Sequence, residues 1–248
     1  MSIQLDAIRK SFDTKVILED VSLEVPEGET HAVIGASGSG KSVMLKTIVG
    51  LLRPDSGDVV VDGLAVPLLA REALYELRRR VGYVFQFAAL FDSMTVSENV
   101  SMGLRRTGMT TAEIANRVAE ALGLVGLEAF GPRLPSELSG GQRKRVGLAR
   151  AIATHPKYLL YDEPTTGLDP VTTAVIDELI LKMRRELGVT SIVVTHDMKS
   201  AYRIASRISM LHAGRIRLTG TPEEIQNADD PIVRGFVEGR PDLSQEAA

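Results

Sequence analysis

The stretch GASGSGKSV (35–43) follows a short apolar run, THAVI, and precedes a segment with a helical pattern, MLKTIVGLL. Its glycine, lysine and serine spacing, G-x-x-x-x-G-K-S, matches the phosphate-binding P-loop. Glycines let a backbone approach an anion closely, and the N–H groups at a helix start point toward that anion. The stretch therefore predicts a nucleoside triphosphate site, and its candidate nucleotide-binding residues are Gly35, Ala36, Ser37, Gly38, Ser39, Gly40, Lys41, Ser42 and Val43.

Two of these residues have more specific expected roles. The Lys41 ammonium is expected to reach the β- and γ-phosphates, and the Ser42 hydroxyl is a candidate Mg²⁺ ligand. A simple glycine-serine turn between a strand and a helix is the alternative interpretation. The order of strand, loop, lysine, serine and helix favours phosphate over that alternative.

A second apolar strand, YLLYD (158–162), ends in two carboxylates, Asp162 and Glu163. Ligands of open α/β sheets bind at the carboxyl ends of strands. We expect Asp162 to hold Mg²⁺, directly or through water, and Glu163 to polarise an attacking water as a general base. An acidic turn without chemistry is the alternative for an isolated Asp-Glu pair.

The stretch LSGGQRKRVGLARAIA (138–153) predicts a helix that starts in a capping box formed by Ser139 and Gln142. Two glycines in its first turn, Gly140 and Gly141, each cost about 1 kcal/mol relative to alanine. That cost is understandable if the bare backbone meets an anion, because a helix start is an anion site. These four residues are therefore further candidates for nucleotide binding.

Composition limits the remaining possibilities. The 248 residues contain no cysteine, which excludes disulfides and thiolate metal sites, and the net charge is −3. The acidic balance argues against nucleic acid as a partner, so we interpret the basic run 143–145 as a solvated helix face. No apolar run approaches the ~20 residues of a membrane span. The expected location is the cytoplasm.

Strands that alternate with helices predict a mainly parallel α/β sheet. An antiparallel β part precedes this core, and helical periodicity dominates from 97 to 153, with a capping box at Thr110 and Glu113 and a predicted helix stop at Gly123. We expect a single domain over residues 1–240, with an inserted helical subdomain at about 87–155. We expect residues 241–248 to be a short, polar and mobile tail.

The motifs, in the order in which they follow one another along the chain, resemble those of the nucleotide-binding subunits of ABC transporters. The resemblance extends over residues 2–240. GASGSGKS is similar to the Walker A motif, LSGGQ to the signature motif and YLLYDE to Walker B. GLDP (167–170) is similar to the D-loop, VVTHD (193–197) to the strand before the switch histidine, and YVFQF (83–87) to the Q-loop. The resemblance implies a P-loop NTPase fold of ABC type, with ATP and Mg²⁺ as cofactors.

The resemblance also implies roles for individual residues. Such subunits close head-to-tail as homodimers, with each ATP held between the Walker A motif of one copy and the signature motif of the other. In that arrangement Glu163 is the general base, His196 contacts the γ-phosphate, Asp169 bridges the subunits, Phe12 stacks on adenine and Gln86 joins Ser42 and Asp162 as a metal ligand.

Two further stretches resemble the MlaF/Mkl group, ATPases of MCE-protein lipid transport systems: FAALFDSMTVSENV (87–100) and DDPIVRGFVEGRPD (229–242). This resemblance implies phospholipid transport, with a dimer of a membrane permease and an MCE-domain protein as partners. The chain would then be peripheral on the inner face of the inner membrane, and 87–100 would face the permease. The alternatives are an ATPase of an amino-acid or other small-solute importer, and a non-transport ABC ATPase that binds nucleic acid.

Overall fold

The computed structural model describes residues 2–240. The strands, in chain order, are β1 (Ser2–Phe12), β2 (Lys15–Pro26), β3 (Thr30–Ile34), β4 (Ser56–Val61), β5 (Leu64–Ala65), β6 (Val81–Val84), β7 (Tyr158–Asp162), β8 (Thr190–Thr195), β9 (Arg207–His212) and β10 (Arg215–Gly220). The helices are α1 (Lys41–Ile48), α2 (Arg71–Arg79), α3 (Val96–Ser101), α4 (Thr111–Leu124), α5 (Gly140–Ile152), α6 (Pro170–Leu187), α7 (Met198–Ile204), α8 (Pro222–Gln226) and α9 (Pro231–Glu238).

These residues form two compact units, one made of 2–77 with 190–240 and the other of 78–189. The single domain expected over 1–240 stays a prediction, as does the helical subdomain at 87–155. The polar tail expected at 241–248 lies outside the described residues.

In the first unit the strand order is β5-β4-β1-β2-β10-β9-β3-β8. The pairs β1·β2, β1·β4 and β4·β5 are antiparallel, whereas β3 pairs in parallel with both β8 and β9. Every residue of β3 and β8 is buried, as expected for strands covered on both faces. The predicted antiparallel β part and the predicted parallel core strands of this unit are confirmed.

In the second unit β6 and β7 pair in parallel, from Val81 opposite Tyr158 to Val84 opposite Tyr161. Helix α4 begins in the predicted capping box, where Thr110 accepts a hydrogen bond from the Glu113 N–H. The predicted stop at Gly123 is wrong, because α4 continues to Leu124. The turn instead uses Gly126, whose φ of 65° suits glycine.

Helix α9, within the stretch DDPIVRGFVEGRPD, folds onto the first unit. Its Ile232 and Val233 are buried in a cluster with Ala201, Ile208 and Met210. These two apolar side chains therefore stabilise the unit that carries them.

Asp230 fixes the start of α9. Its Oδ1 accepts hydrogen bonds from the N–H groups of Ile232 (2.9 Å) and Val233 (3.1 Å), and its carboxylate also accepts one from Arg217 Nε at 2.9 Å. Burial raises the pKa of Asp230, but the hydrogen bonds from Arg217 and from the two N–H groups outweigh burial, so the pKa is lowered overall. The carboxylate therefore contributes to stability in its charged form.

We expect Asp230→Ala to lower the free energy of unfolding by about 1–2 kcal/mol at neutral pH, because it removes both a cap and an ion pair. Since the pKa is lowered in the folded state, this contribution is present above the unfolded value of about 3.9 and is lost as the pH falls through the folded value. Urea unfolding at several pH values measures both effects. The control is Asp229→Ala, because Asp229 is fully exposed and contacts Arg234 instead; an equal loss in both variants would contradict the capping role.

Candidate nucleotide site

The P-loop connects β3 to α1 in the first unit. Gly38 and Gly40 have φ values of 80° and 103°, which other residues rarely adopt. A Cβ at Gly40 would lie 2.8 Å from Leu18 Cδ2, and one at Gly35 would lie 2.4 Å from the Leu211 carbonyl oxygen. The loop conformation itself therefore requires the glycines that the motif supplies.

Several polar features of this loop suit an anion. Lys41 is buried, and its Nζ donates to the carbonyl oxygens of Gly35 (2.8 Å) and Ala36 (3.0 Å). The buried Ser39 Oγ has no hydrogen-bond partner within the described residues, although buried hydroxyls are normally paired. Helix α1 has no acidic residue in its first turn, and Gly40 provides no side-chain cap. A phosphate fits such a helix start.

His196 leaves the same end of the sheet as the P-loop. Ile34, which precedes the loop, lies opposite Thr195 in the parallel pair of β3 and β8, so both following segments start at the carboxyl edge of neighbouring strands. His196 is exposed, and Asp197 caps α7 by accepting from the Lys199 N–H at 3.0 Å. The first unit thus brings together the predicted phosphate loop and the predicted switch histidine.

Phe12 ends β1 with its ring half exposed, and Lys10 Nζ lies 5.5 Å from the ring centroid. Asp55 holds this strand end by accepting from Lys10 Nζ at 2.7 Å and from the Ser11 N–H at 2.6 Å. These hydrogen bonds, with that from Lys10 the largest, keep the pKa of Asp55 well below its usual range. The stacking of this ring on an adenine stays a prediction.

In the second unit, Gln86 and Asp162 follow neighbouring parallel strands. Gln86 comes two residues after β6, and Asp162 is the last residue of β7. Asp162 is buried, and its Oδ2 accepts a hydrogen bond from the Tyr83 hydroxyl at 3.0 Å. Burial, followed by the charge of Asp162, raises the pKa of Tyr83, so the phenol remains a donor to this carboxylate.

Glu163 is buried and has a φ of 51°. A left-handed backbone costs a residue other than glycine about 1–3 kcal/mol, and such strain is concentrated at functional sites. Its Oε2 accepts a hydrogen bond from Thr166 Oγ1 at 2.8 Å. The carboxylate is therefore held in one direction at the carboxyl end of β7.

Helix α5 begins in the predicted capping box. Ser139 Oγ accepts from the Gln142 N–H at 3.2 Å, and Gln142 Oε1 accepts from the Ser139 N–H at 2.8 Å. The capping boxes of α3, α4 and α8 place glutamate at the position of Gln142. A Cβ at Gly140 would meet no atom within 4 Å. The first turn of α5 therefore carries no acidic residue and is open at Gly140, whereas a Cβ at Gly141 would meet the Thr172 side chain. A helix start without acidic side chains suits an approaching phosphate.

Asp169 caps α6. Its Oδ1 accepts from the N–H groups of Val171 and Thr172, both at 3.0 Å, and its Oδ2 accepts from Thr172 Oγ1 at 2.5 Å. The Thr172 hydroxyl, followed by its N–H, lowers the pKa of Asp169. The predicted contact with a second subunit stays a prediction.

The basic run on α5 differs from expectation. Lys144 is buried, and its Nζ donates to the carbonyl oxygens of Gln86 and Glu163. Arg143 donates to the Leu138 carbonyl at 2.6 Å. The predicted solvated face is therefore wrong for Lys144. Helical spacing indicates the burial of Lys144 from the sequence, because Lys144 lies on the same helical stripe as the apolar positions 148 and 151.

The predicted site residues fall into two groups. The first unit holds Phe12, the P-loop residues 35–43 and His196, whereas the second holds Gln86, residues 139–142, Asp162, Glu163 and Asp169. Within residues 2–240, no cluster of three or more histidine, aspartate or glutamate side chains could hold a metal ion. None of the helices in that part of the chain combines the length and the apolar character of a membrane span.

Comparison with known proteins now provides independent information. Residues 18–166 match the ABC transporter family model. The chain is 41% identical to the probable ribonucleotide transport ATP-binding protein mkl of Mycobacterium tuberculosis over 241 residues. The aligned region covers 97% of this chain and 67% of that protein. It is 48% identical over 208 residues to the methionine import ATP-binding protein MetN of Caulobacter vibrioides, covering 84% of this chain and 63% of that protein.

Solved structures agree. An ATP-binding cassette crystallised as a dimer in a post-hydrolysis state with ADP and Pi has a TM-score of 0.82 and 36% identity, covering 89% of this chain and 98% of that one. A Clostridium perfringens component of an ABC transporter complex has a TM-score of 0.84 and 31% identity, covering 94% and 93%. The fold class expected from the motifs is confirmed. The chain belongs to the ABC transporter family and is one of its ATP-hydrolysing subunits.

Proposed function

We propose that the chain hydrolyses ATP in a head-to-tail homodimer and thereby drives phospholipid transport through a membrane permease and an MCE-domain protein. In this proposal each ATP lies between the P-loop of one copy and residues 139–142 of the other. Glu163 accepts a proton from the attacking water, and His196 contacts the γ-phosphate. The open, neutral start of α5 and the uncapped start of α1 support two phosphate-facing helix ends.

The proposed metal is Mg²⁺, held by Ser42, Gln86 and Asp162. These residues offer a hydroxyl, an amide and a carboxylate, and Mg²⁺ prefers oxygen ligands of this kind, completed by water and phosphate. When bound, Mg²⁺ would neutralise charge on the β- and γ-phosphates. The chain's own contribution is the buried Asp162, whose carboxylate is oriented by Tyr83.

The observation that carries the lipid proposal is the segment 87–100, a loop that continues into α3. Asn99, fully buried, accepts from the Phe91 N–H at 2.8 Å and donates from Nδ2 to the carbonyl oxygens of Phe91, Met94 and Thr95. This asparagine is part of the ENV sequence on which the resemblance to the MlaF/Mkl group rests. Asn99 fixes the turn at 91–95, in which Phe91 is half exposed. Phe87, earlier in the same segment, is 84% exposed.

Exposed aromatic side chains on a rigid loop are typical of a protein contact. We propose that this loop contacts the permease, and that the permease places the chain peripherally at the inner face of the cell membrane. A match at 41% identity that extends over 97% of the chain also supports kinship with the mkl protein.

A small-solute importer is the second candidate. The identity of 48% to a methionine import ATPase favours it, and a third relative, from Caulobacter vibrioides, is a sulfate/thiosulfate import ATPase with 44% identity. The mkl protein is itself described as a probable ribonucleotide transport protein. The catalytic residues do not distinguish these cargoes, because the cargo does not contact this subunit in the proposed assembly.

The test is to purify the chain with its permease and extracytoplasmic partner, and to measure ATPase activity in phosphatidylethanolamine vesicles. We expect glycerophospholipid to copurify and to stimulate ATP hydrolysis severalfold. Phe87→Ala with Phe91→Ala should remove the stimulation, whereas Leu68→Ala, at another highly exposed apolar residue, should not. Stimulation by a binding protein loaded with methionine, sulfate or ribonucleotide, without any lipid effect, would contradict the proposal.

A further inference from the structure

Lys144 is a buried cation that touches two different parts of the second unit. It lies on α5, is 8% exposed, and donates from Nζ to the carbonyl oxygen of Gln86 and, at 3.3 Å, to that of Glu163. Buried lysines are rare because burial of a charge is unfavourable. A lysine retained here therefore needs a reason beyond packing.

The two backbones that Lys144 joins are both unusual. Glu163 has a φ of 51°, and in the segment after Gln86, Ala88 and Ala89 have φ values of 58° and 46°. None of these residues is glycine, so each conformation must be imposed by its surroundings. Lys144 supplies part of that constraint at both ends.

Arg150, two turns further along α5, completes the arrangement. Its guanidinium donates to the carbonyl oxygens of Ala88 and Ala89, both at 2.6 Å. Helix α5 thus carries two cations that bind the carbonyls of Gln86, Ala88 and Ala89, and one of them, Lys144, also binds the carbonyl of Glu163. The Gln86 and Glu163 backbones are bridged by one ammonium, because Lys144 Nζ donates to a carbonyl of each.

The electrostatic environment is consistent with a charged ammonium. Burial lowers the pKa of Lys144 overall, although the negative charges of Glu163 and Asp162 act to raise it. The nearby carboxylates therefore offset part of the cost of burial.

We propose that Lys144 is a positioning residue for ATP hydrolysis: its ammonium holds the backbones of Gln86 and Glu163 together, so that the Glu163 carboxylate points at the water it activates. This inference rests on the proposed role of Glu163 as general base. Helix α5, which follows the signature motif, would then have a second role: it would align the general base Glu163 of its own chain.

The test compares Lys144→Met and Lys144→Gln in the full chain by steady-state ATPase kinetics. Methionine keeps the apolar stem but no donor, so we expect kcat to fall at least about tenfold while KM for ATP changes less than about threefold, because misplacement affects the chemical step. Glutamine retains amide donors on a shorter stem and should give a kcat between those of the methionine variant and the wild type.

The matched controls are Lys182→Met and Lys182→Gln. Lys182 Nζ also donates to a backbone carbonyl of the same unit, that of Leu124 at 3.1 Å, but this carbonyl is not part of the site. These variants should keep kcat within about twofold of the wild type. Thermal unfolding verifies that all four variants are folded.

Two results would overturn the inference. One is a Lys144→Met kcat equal to that of Lys182→Met, and the other is a folded Lys144→Gln no more active than Lys144→Met. If Lys144→Met does not fold, the comparison of Lys144→Gln with Lys182→Gln decides. The inference then requires that the kcat of Lys144→Gln is at least about threefold below that of Lys182→Gln, with KM for ATP unchanged. Glu163→Gln in the same assay separates the role of Glu163 as general base from the role of Lys144 as positioning residue. Wild-type turnover by Glu163→Gln would refute the general base. Loss of turnover in Glu163→Gln, together with a wild-type kcat in Lys144→Met, would refute only the positioning role.

Discussion

Glu163→Gln is expected to lower ATP turnover by about three orders of magnitude, the range in which general-base catalysis contributes. Glutamine has nearly the same shape as glutamate, and its side-chain oxygen can still accept a hydrogen bond from the Thr166 hydroxyl. In the native chain Thr166 Oγ1 lies 2.8 Å from Glu163 Oε2. The strained backbone, with φ of 51°, is unchanged by this substitution. The variant therefore removes a proton acceptor and a charge, with little change in packing.

The same variant should accumulate an ATP-bound dimer. The P-loop belongs to the other unit of the chain, so the nucleotide contacts of Lys41 and Ser39 remain available. With hydrolysis blocked, nothing consumes the ATP that holds two copies together, and bound ligand stabilises the associated state by mass action. Loss of the Glu163 carboxylate would also reduce repulsion with the triphosphate in the proposed site.

Steady-state ATPase assays and size-exclusion chromatography with and without ATP measure these two effects. Glu186→Gln, on the exposed side of α6, is the control and should behave as the wild type in both assays. Hydrolysis by Glu163→Gln at the wild-type rate would refute the assignment of the base. A monomer that binds ATP but never dimerises would instead refute the head-to-tail assembly.

The sequence was sufficient for those features that depend on neighbours along the chain. The P-loop and the capping boxes at Thr110 and Ser139 are local patterns, each with its own physical reason, and the structure contains both boxes. The buried strands β3, β7 and β8 were recognisable because continuous apolar runs are typical of strands covered on both faces. The position of Gly123 shows the limit, because a glycine alone does not end a helix unless the chain must reverse there.

The contacts of Lys144 were beyond local reasoning. In the sequence it lies between two arginines, and such a run normally forms a solvated face. Helical spacing with positions 148 and 151 indicates that it is buried. It does not indicate its partners, because the carbonyls of Gln86 and Glu163 are 58 and 19 residues away. The Asn99 contacts of the segment 87–100 are equally absent from local patterns, because a resemblance of the sequence to a family does not specify its hydrogen bonds.

Ser139→Asp is expected to abolish the ATP-induced dimer while leaving α5 intact. Aspartate is as good an N-cap as serine, so the hydrogen bond to the Gln142 N–H, now 3.2 Å long, is retained. It also places a carboxylate at a helix start that is neutral in the native chain. Two opposite or like charges about 4 Å apart interact by about 4 kcal/mol near a protein surface, which exceeds what a single phosphate contact contributes.

The variant distinguishes binding within one copy from binding between two. If residues 139–142 meet the ATP of the opposite copy, Ser139→Asp should leave ATP binding by the isolated chain unchanged, because that site uses the P-loop of the first unit. Combined with Glu163→Gln, it should eliminate the ATP-bound dimer, and turnover in the single variant should fall about a hundredfold or more. Fluorescent-nucleotide titration and size-exclusion chromatography separate these effects.

Thr110→Asp provides the control, because Thr110 also caps a helix of the second unit in a capping box, but faces no proposed ligand. It should leave both the dimer and turnover close to the wild type, even though Glu113 makes its surroundings more acidic than those of Ser139. A Ser139→Asp chain that loses ATP affinity as a monomer would place the signature motif on its own copy's nucleotide. A Ser139→Asp chain that still dimerises with ATP would mean that this helix start faces no phosphate, and the two-copy site would have to be abandoned.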